Sequence, residues 1–383
     1  MQLYLNIYVL LATLVFPSDF IDNRGGVAQT IVELVHGLAN ENYFNIVVLC
    51  PSGSEMANTN FPSNVRIVTT KLSEWHISRT SDFKTLKTVL EVYREIKLLL
   101  DKDTWIITNH SVTSALISLM PLRNIKEIYI NRGGHFSDNG MATRLILRKI
   151  KRSKIDYAVG ISHRQVDLLV KSGIKHDKTF LIHDGLPMPK VDYKNLTLKP
   201  EKLRISIMGY ISDLKNQKEG VRLLKMLRDS GVNAILNIYG DSTVDPEYYS
   251  QLLGLIKELD VTKYVNIHGF ISGESLFSDT DILISFSKSE GFGRTLVEGM
   301  LRYKPIMAWR GAGGPIDITK NGRYGYLVDT NLASEYYSLI MKLLNNSLEC
   351  VKDTQKAYEF AARNFTTKTM VNRYTELFKR LCV

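Results

Sequence analysis

Apolar and polar positions along this chain follow two periods in turn. Short apolar runs read as buried strands: Leu3–Phe16, Asn45–Leu49, Val65–Val68, Thr104–Thr108, Glu127–Ile130, Leu203–Met208, Ala234–Tyr239 and Ile282–Phe286. Tyr157–Gly160, Thr179–Ile182, Val265–Ile267 and Pro305–Ala308 are shorter runs of the same kind. Between them lie stretches with apolar residues three and four apart. Ile31, Leu34, Val35 and Leu38 share one helical face, and Phe83–Leu100 is a long amphipathic stretch that carries Lys84, Lys87, Arg94 and Lys97. Pro246–Leu259, Leu332–Leu344, Glu349–Asn364 and Thr367–Leu381 follow the helical period too. Strand and helix patterns alternate in both halves, which predicts α/β architecture with a doubly wound parallel sheet in each half. The polar, proline-marked stretch from Pro187 to Pro200 reads as the connection between them. The expected division is 1–187, a linker at 188–202, 203–364, and a C-terminal helix at 365–383 that returns to the first domain.

Composition adds limits rather than detail. A chain of 383 residues with 44% hydrophobic positions can bury a core in each of two domains. A net charge of +10 suits an anionic partner, whether nucleotide, nucleic acid or anionic membrane surface. No helix-turn-helix or aromatic RNA-binding string supports nucleic acid. Cys50, Cys350 and Cys382 show no metal-ligand spacing, and so sparse a count fits a reducing cytosol. Leu3–Phe16 lacks the basic start and small-residue cleavage site of a signal peptide, is too short to span a bilayer as a helix, and is interrupted by Asn6. It reads as a first strand. The stretch Thr143–Lys154 carries Arg144, Arg148, Lys149, Lys151, Arg152 and Lys154 among Leu145, Leu147 and Ile150. It reads either as a solvated helix face or as a patch for an anionic membrane.

The candidate chemistry gathers where strands end. After Ile282–Phe286 comes Ser289-Glu290-Gly291-Phe292-Gly293-Arg294-Thr295-Leu296-Val297-Glu298, so a strand gives way to a glycine loop and then a helix from Thr295. Such junctions bind ligands in open α/β sheets, and the free N–H groups of a starting helix favour phosphate. Glu290 and Glu298 can accept from sugar hydroxyls. Thr295 and Glu298 also fit a capping box, with Thr at the N-cap and Glu three residues on. A second strand–glycine–helix junction lies at Gly25-Gly26. His110 and His135 follow strands, at the ligand side of such a sheet.

The string from Glu290 to Glu298 resembles the Glu-x7-Glu signature of retaining glycosyltransferases of the GT-B fold, family 4. Gly269-Phe270, Asp281-Ile282-Leu283, Lys304-Pro305-Ile306 and Gly322-Arg323-Tyr324-Gly325-Tyr326-Leu327-Val328 strengthen the resemblance, and Gly25-Gly26, Val159-Gly160-Ile161-Ser162 and Lys215-Asn216-Gln217 extend it. It implies two Rossmann-like domains facing a central cleft. It also implies transfer of a sugar, hexosyl in type, from a nucleoside-diphosphate sugar to a saccharide or lipid-linked acceptor in cell-surface polysaccharide or glycolipid synthesis. By the resemblance, Gly25 and Gly26 approach the donor phosphates and Lys215 pairs with the pyrophosphate. The N–H groups of Phe292 and Gly293 face the sugar, and those of Thr295 and Leu296 face the phosphates. Glu298 binds the ribose, Glu290 touches the transferred sugar, and His135, with His110 second, contacts that sugar from the first domain.

One position departs from the family pattern. Tyr210 stands five residues before Lys215, where an arginine is usual. Arg294 or Arg24 supplies the charge instead, or the donor is bound less tightly, or the donor differs. Lys215 and a helix N terminus can stabilise a leaving pyrophosphate, so neither a metal nor any other cofactor is expected. Two enzymatic alternatives keep the fold: a phosphorylase, for which no pyridoxal-phosphate lysine is marked, and a sugar-nucleotide epimerase. A basic nucleic-acid-binding protein is the reading from another class. The expected location is the cytosol, on the inner face of the membrane where lipid-linked acceptors lie.

Overall fold

The apolar runs of the first half pair into one parallel sheet. In the computed structural model the described residues are 12–18, 26–75, 83–109, 111–121, 126–133, 155–190, 201–271 and 275–381. Strands β1 (Ala12–Pro17), β2 (Phe44–Pro51), β3 (Val65–Thr70), β4 (Thr104–Thr108), β5 (Lys126–Asn131), β6 (Tyr157–Gly160) and β7 (Thr179–Leu181) run in the order β3-β2-β1-β4-β5-β6-β7. Every adjacent pair is parallel. Helices α1 (Gly26–Glu41), α2 (Phe83–Leu99), α3 (Ser111–Ser118) and α4 (His163–Lys171) alternate with the strands. The α1 face foreseen from its spacing is the buried one: Ile31, Leu34, Val35 and Leu38 are all in the core. Val15, Val47, Leu49, Ile106, Val92, Ile96 and Leu116 form a second apolar cluster under α2 and α3. Each such residue, fully buried, contributes about 1.5–3 kcal/mol relative to exposure. Ser162 caps α4, its side chain accepting from Gln165 N at 3.4 Å.

The second sheet uses six strands: β8 (Leu203–Met208), β9 (Ala234–Tyr239), β10 (Val265–Ile267), β11 (Ile282–Ser285), β12 (Ile306–Trp309) and β13 (Tyr326–Val328). Their order is β10-β9-β8-β11-β12-β13, again wholly parallel. Helices α5 (Gln217–Asp229), α6 (Pro246–Glu258), α7 (Ser275–Ser278), α8 (Arg294–Met300), α9 (Gly314–Ile318), α10 (Ala333–Asn345) and α11 (Ser347–Asn364) connect them. Leu203, Ile205, Leu236, Ile238, Ile282 and Ile284 from the strands meet Val221, Leu224, Tyr336 and Ile340 from α5 and α10.

The chain divides into two units, Met1–Gly185 with Thr367–Val383, and Leu186–Thr366. The last helix, α12 (Thr367–Leu381), therefore packs within the first unit. Its Val371 lies where a side chain on Gly37 of α1 would have to go, and Phe378 meets Phe44 edge-on at 5.9 Å. Most of the stretch read as a linker, 191–200, is outside the described residues, as is the basic stretch Thr143–Lys154. Cys50 and Cys350 are free and buried, and Cys382 is outside the described residues. Among the described residues no helix is long and apolar enough to cross a membrane.

Beyond the strands, the second sheet is prolonged by loop hydrogen bonds. Gly209 N donates to Tyr239 O at 2.9 Å and Gly240 N to Gly269 O at 2.7 Å. Here two main chains touch: a Cβ on Gly240 would lie 2.0 Å from the Gly209 oxygen. Gly240→Ala should therefore destabilise the second unit by about 1–3 kcal/mol through overpacking against backbone, read as a lower midpoint in chemical denaturation.

Candidate active site

In the second sheet the strand order reverses between β8 and β11. Strands on either side of such a point send their connections to opposite faces and leave a crevice at their carboxyl ends. The direct pairing of β8 with β11 is short, Ile205 with Ile282 and Ser206 with Leu283. Asp281 reinforces it at the amino end. Its carboxylate accepts from Arg204 N at 2.8 Å, Nε at 3.1 Å and Nη2 at 2.7 Å, and the bond to Asp281 raises the pKa of the guanidinium above its ordinary value. Asp281, met in the sequence as part of a family string, is thus a register lock.

The loop after β8 is fastened from inside. Gln217 is fully buried; its Nε2 donates to Tyr210 O at 2.8 Å and its Oε1 accepts from Ser212 N at 3.4 Å. Lys215 N and Asn216 N both donate to Ser212 O at 3.0 Å. Asn216 then takes a left-handed conformation, φ +54°, from which α5 starts. Leu214 O accepts from Lys288 N at 2.8 Å, which ties this loop to the one after β11.

The loop after β11 is fastened in turn to the loop after β12. Glu290 N donates to Ala312 O at 2.9 Å, and Gly314 N donates to Glu290 O at 3.2 Å. A Cβ on Gly314 would fall 2.1 Å from Phe292 O, so only glycine allows this approach. Phe292 is buried and meets Phe365 edge-on at 5.4 Å. With its main chain held, Glu290 extends its carboxylate to Lys215, Nζ to Oε1 at 2.5 Å, the two side chains 13% and 21% exposed. A pair so placed is partly desolvated, and both partners are preorganised by main-chain bonds before any ligand arrives.

The helix start corrects one expectation. Gly293, at φ +107°, is the N-cap of α8, and the helix begins at Arg294. Thr295 is its second residue, so Thr295 and Glu298 do not form a capping box. The left-handed turn that glycine allows replaces the side-chain cap that threonine was expected to supply. Leu296 N donates to Gly293 O at 3.0 Å, so this amide is committed inside the first turn. Arg294, Thr295 and Glu298 are half-buried. Tyr210 is 42% exposed, and its carbonyl serves the Gln217 clip.

The remaining sequence candidates lie in the first unit. Gly26 is the exposed first residue of α1. Gly25, Arg24, His110 and His135 lie outside the described residues. The neighbours of the two histidines in sequence are structural. Arg132, after β5, forms a buried ion pair with Asp184, and its Nε and Nη2 donate to Asn109 Oδ1 at 3.3 and 3.2 Å. Tyr374 of α12 is buried beside this pair, and burial pushes its phenol up.

The sequence reading did not foresee the Gln217 clip, the Ala312–Gly314 clasp, or the bracing of β11 by α10. There Tyr336 OH donates to Ser285 O at 3.0 Å and Asn331 Nδ2 to Phe286 O at 2.8 Å. The glycine run at 311–314 was the available signal for the clasp; Gln217 had none beyond its place after Lys215. Two Asp-x-Asp strings, 101–103 and 279–281, have other duties. Asp101 accepts from Thr104 Oγ1 at 2.6 Å, and Asp279 and Asp281 hold Arg204.

Residues 191–364 match the family Glycosyl transferases group 1. The curated relatives include a poly(ribitol-phosphate) alpha-N-acetylglucosaminyltransferase of Staphylococcus aureus, 24% identical over 178 residues, covering 45% of this chain and 35% of the relative. An uncharacterized 41.2 kDa protein in the cps region of Klebsiella pneumoniae is 23% identical over 248 residues, 61% of this chain and 64% of its own length. The chain thus spans about a third of the first relative and under two thirds of the second. Among solved structures, Anabaena Alr3699/HepE in complex with UDP and glucose superposes with a TM-score of 0.76 at 17% identity, covering 96% of this chain and 99% of that one. This likeness shows the fold, two parallel-sheet α/β domains of GT-B type.

Because the Gln217 amide holds two otherwise unpaired main-chain groups, Gln217→Leu should lower stability by about 1–3 kcal/mol. Hydrogen exchange would show the loss as faster amide exchange at Ser212, beyond any increase at the β9 amides.

Proposed function

We propose that this chain, with a group 1 glycosyltransferase domain in its second unit, is a retaining, metal-independent hexosyltransferase. It moves a sugar from a nucleoside-diphosphate sugar to a saccharide or lipid-linked acceptor in the synthesis of cell-surface polysaccharide or glycolipid. It works in the cytosol at the inner face of the membrane. The observation that carries the reading is the pairing of Lys215 with Glu290 at the switch point of the second sheet. One cation and one carboxylate stand where a sugar phosphate presents one anion and several hydroxyls. The names of the relatives agree: one transfers N-acetylglucosamine to a polyol phosphate polymer, one lies in a cps region, and the solved neighbour held UDP and glucose.

In this mechanism the bond between the anomeric carbon and the β-phosphate oxygen breaks, and negative charge grows on that phosphate. Lys215 Nζ, which leaves Glu290 for the pyrophosphate when the donor binds, faces this charge, aided by Arg294 and the amide of Thr295 at the start of α8. The acceptor hydroxyl oxygen bonds the anomeric carbon on the face that the phosphate leaves, and its proton passes to the departing phosphate oxygen. Glu290, its main chain held by Ala312 and Gly314, orients the sugar through its hydroxyls rather than attacking it. Glu298 receives the ribose hydroxyls. Lys215 and Arg294 supply the positive charge that a divalent ion supplies elsewhere. The experiment that tests the reading is thermal stabilisation and hydrolysis with UDP-glucose, UDP-N-acetylglucosamine, UDP-galactose and GDP-mannose. A donor at a hundred times its Kd stabilises by about 2.7 kcal/mol, and no response to any of them would refute it.

Three substitutions test the parts. Lys215→Ala should lower turnover about 10²–10³-fold, as removal of a donor to developing charge does, with a modest drop in melting temperature because the partly buried Glu290 loses its partner. Arg294→Ala, with Tyr210 left in place, should weaken donor binding if Arg294 replaces the family's usual arginine. Glu298→Gln should cost about 1.5–3 kcal/mol of nucleotide affinity in calorimetry, the worth of a charge-assisted hydrogen bond. Unchanged affinity would remove Glu298 from the site.

A further inference from the structure

Helix α2 has an outer face that the described residues leave exposed. Its inner face is ordinary: Val92 and Ile96 are fully buried, with Val89, Tyr93 and Leu99 packed around them. On the outer face Leu86, Leu90 and Leu98 are 55%, 57% and 76% exposed. Lys84, Lys87, Arg94 and Lys97 are exposed as well. At 3.6 residues per turn, Leu86, Lys97, Leu90, Arg94, Lys87 and Leu98 follow one another around an arc of about 120°. Leucines and cations are therefore interleaved on one surface rather than segregated. Lys97 Nζ stands 5.9 Å from the Tyr93 ring centroid, and the half-buried Glu91 sits at the margin of the arc.

We infer that this face of α2 lies on an anionic phospholipid bilayer, parallel to its plane. Three exposed leucines gain nothing in water, and the three cations among them, Lys87, Arg94 and Lys97, specify the charge of what they meet. A bilayer surface offers both acyl chains and anionic headgroups within reach of one helix. The lysine and arginine stems bury alongside the leucines while their heads stay with the phosphates. A second copy of the chain suits the face poorly. A two-fold contact would set Lys87, Arg94 and Lys97 against the same residues of the partner, with only three leucines a side to offset the repulsion. Nucleic acid suits it no better, since the described side chains of the arc offer leucines where stacking on bases needs aromatic rings. The inference does not rest on the sugar-transfer reading. It adds a surface to it, distinct from the Lys215–Glu290 site and made of residues that take no part there.

The test is sedimentation of the full chain with vesicles of phosphatidylcholine alone, or of phosphatidylcholine and phosphatidylglycerol in equal parts. The parent should partition onto the anionic vesicles and scarcely onto the neutral ones. Each basic residue at such a surface is worth about fivefold in partitioning, so the triple variant Lys87→Gln, Arg94→Gln, Lys97→Gln should lose about a hundredfold. The variant Leu86→Gln, Leu90→Gln, Leu98→Gln should lose binding too, although its charge is unchanged. All substituted side chains are exposed, so both variants should melt with the parent. Hydrolysis of the nucleotide sugar in solution, read in parallel, should be the same in all three proteins, which separates failure of this proposal from failure of the catalytic one. Equal partitioning onto both vesicles, or binding that survives either triple variant, would overturn the assignment. So would a parent that self-associates through the leucines and ignores both vesicles.

Discussion

The site depends on β8 and β11 lying side by side although some 70 residues separate them in the chain. Their direct register is two residue pairs long, too little to fix the strands alone. Asp281 gripping Arg204 at one end, and the Leu214–Lys288 main-chain bond at the other, hold them together. Only with that pairing set do the two loops that carry Lys215 and Glu290 open from the same crevice. The neighbours β9 and β12 then extend the sheet in opposite directions, and the crevice follows from that reversal.

What makes the crevice a site rather than a gap is that its loops are fixed by main-chain bonds before they meet a ligand. The loop after β8 closes on the buried Gln217 amide, and the loop after β11 is clasped by Ala312 and Gly314. Phe292, beneath it, rests on Phe365, whose carbonyl accepts from Leu186 N at 2.9 Å. The carboxylate and the ammonium are thus aimed by the scaffold. Electrostatic stabilisation of a leaving phosphate works best with such groups, because little reorganisation is required when charge develops.

The first unit spends the carboxyl ends of its strands differently. There Asn109, Arg132 and Asp184 form a closed, buried polar cluster with Tyr374 of the returning helix α12 packed against it. Breaking such a pair by removing one partner typically costs about 3–5 kcal/mol, since it strands a buried charge. The cluster ties the chain's last helix to the strands of its first unit, whereas the corresponding positions of the second unit hold the Lys215–Glu290 pair, which stays partly exposed.

The sequence by itself determined the elements and their class. Periods of two and 3.6 are local properties, so the strand at Thr104–Thr108, the helix at Phe83 and the buried face of α1 were legible without a structure. The chemically distinct string from Glu290 to Glu298 was legible for the same reason. Tertiary structure alone decided what those residues touch. Thr295 and Glu298 have the spacing of a cap, yet Gly293 turns the chain first, because its left-handed φ and the burial of Phe292 set where α8 begins. Gln217 looked like any polar residue opening a helix until burial left its amide between Tyr210 O and Ser212 N. Asp281 and Arg204 lie far apart in sequence, and no local pattern joins them. A period records which face of an element meets the core; which loop meets which is settled by the strand order, and strand order is a property of the folded sheet.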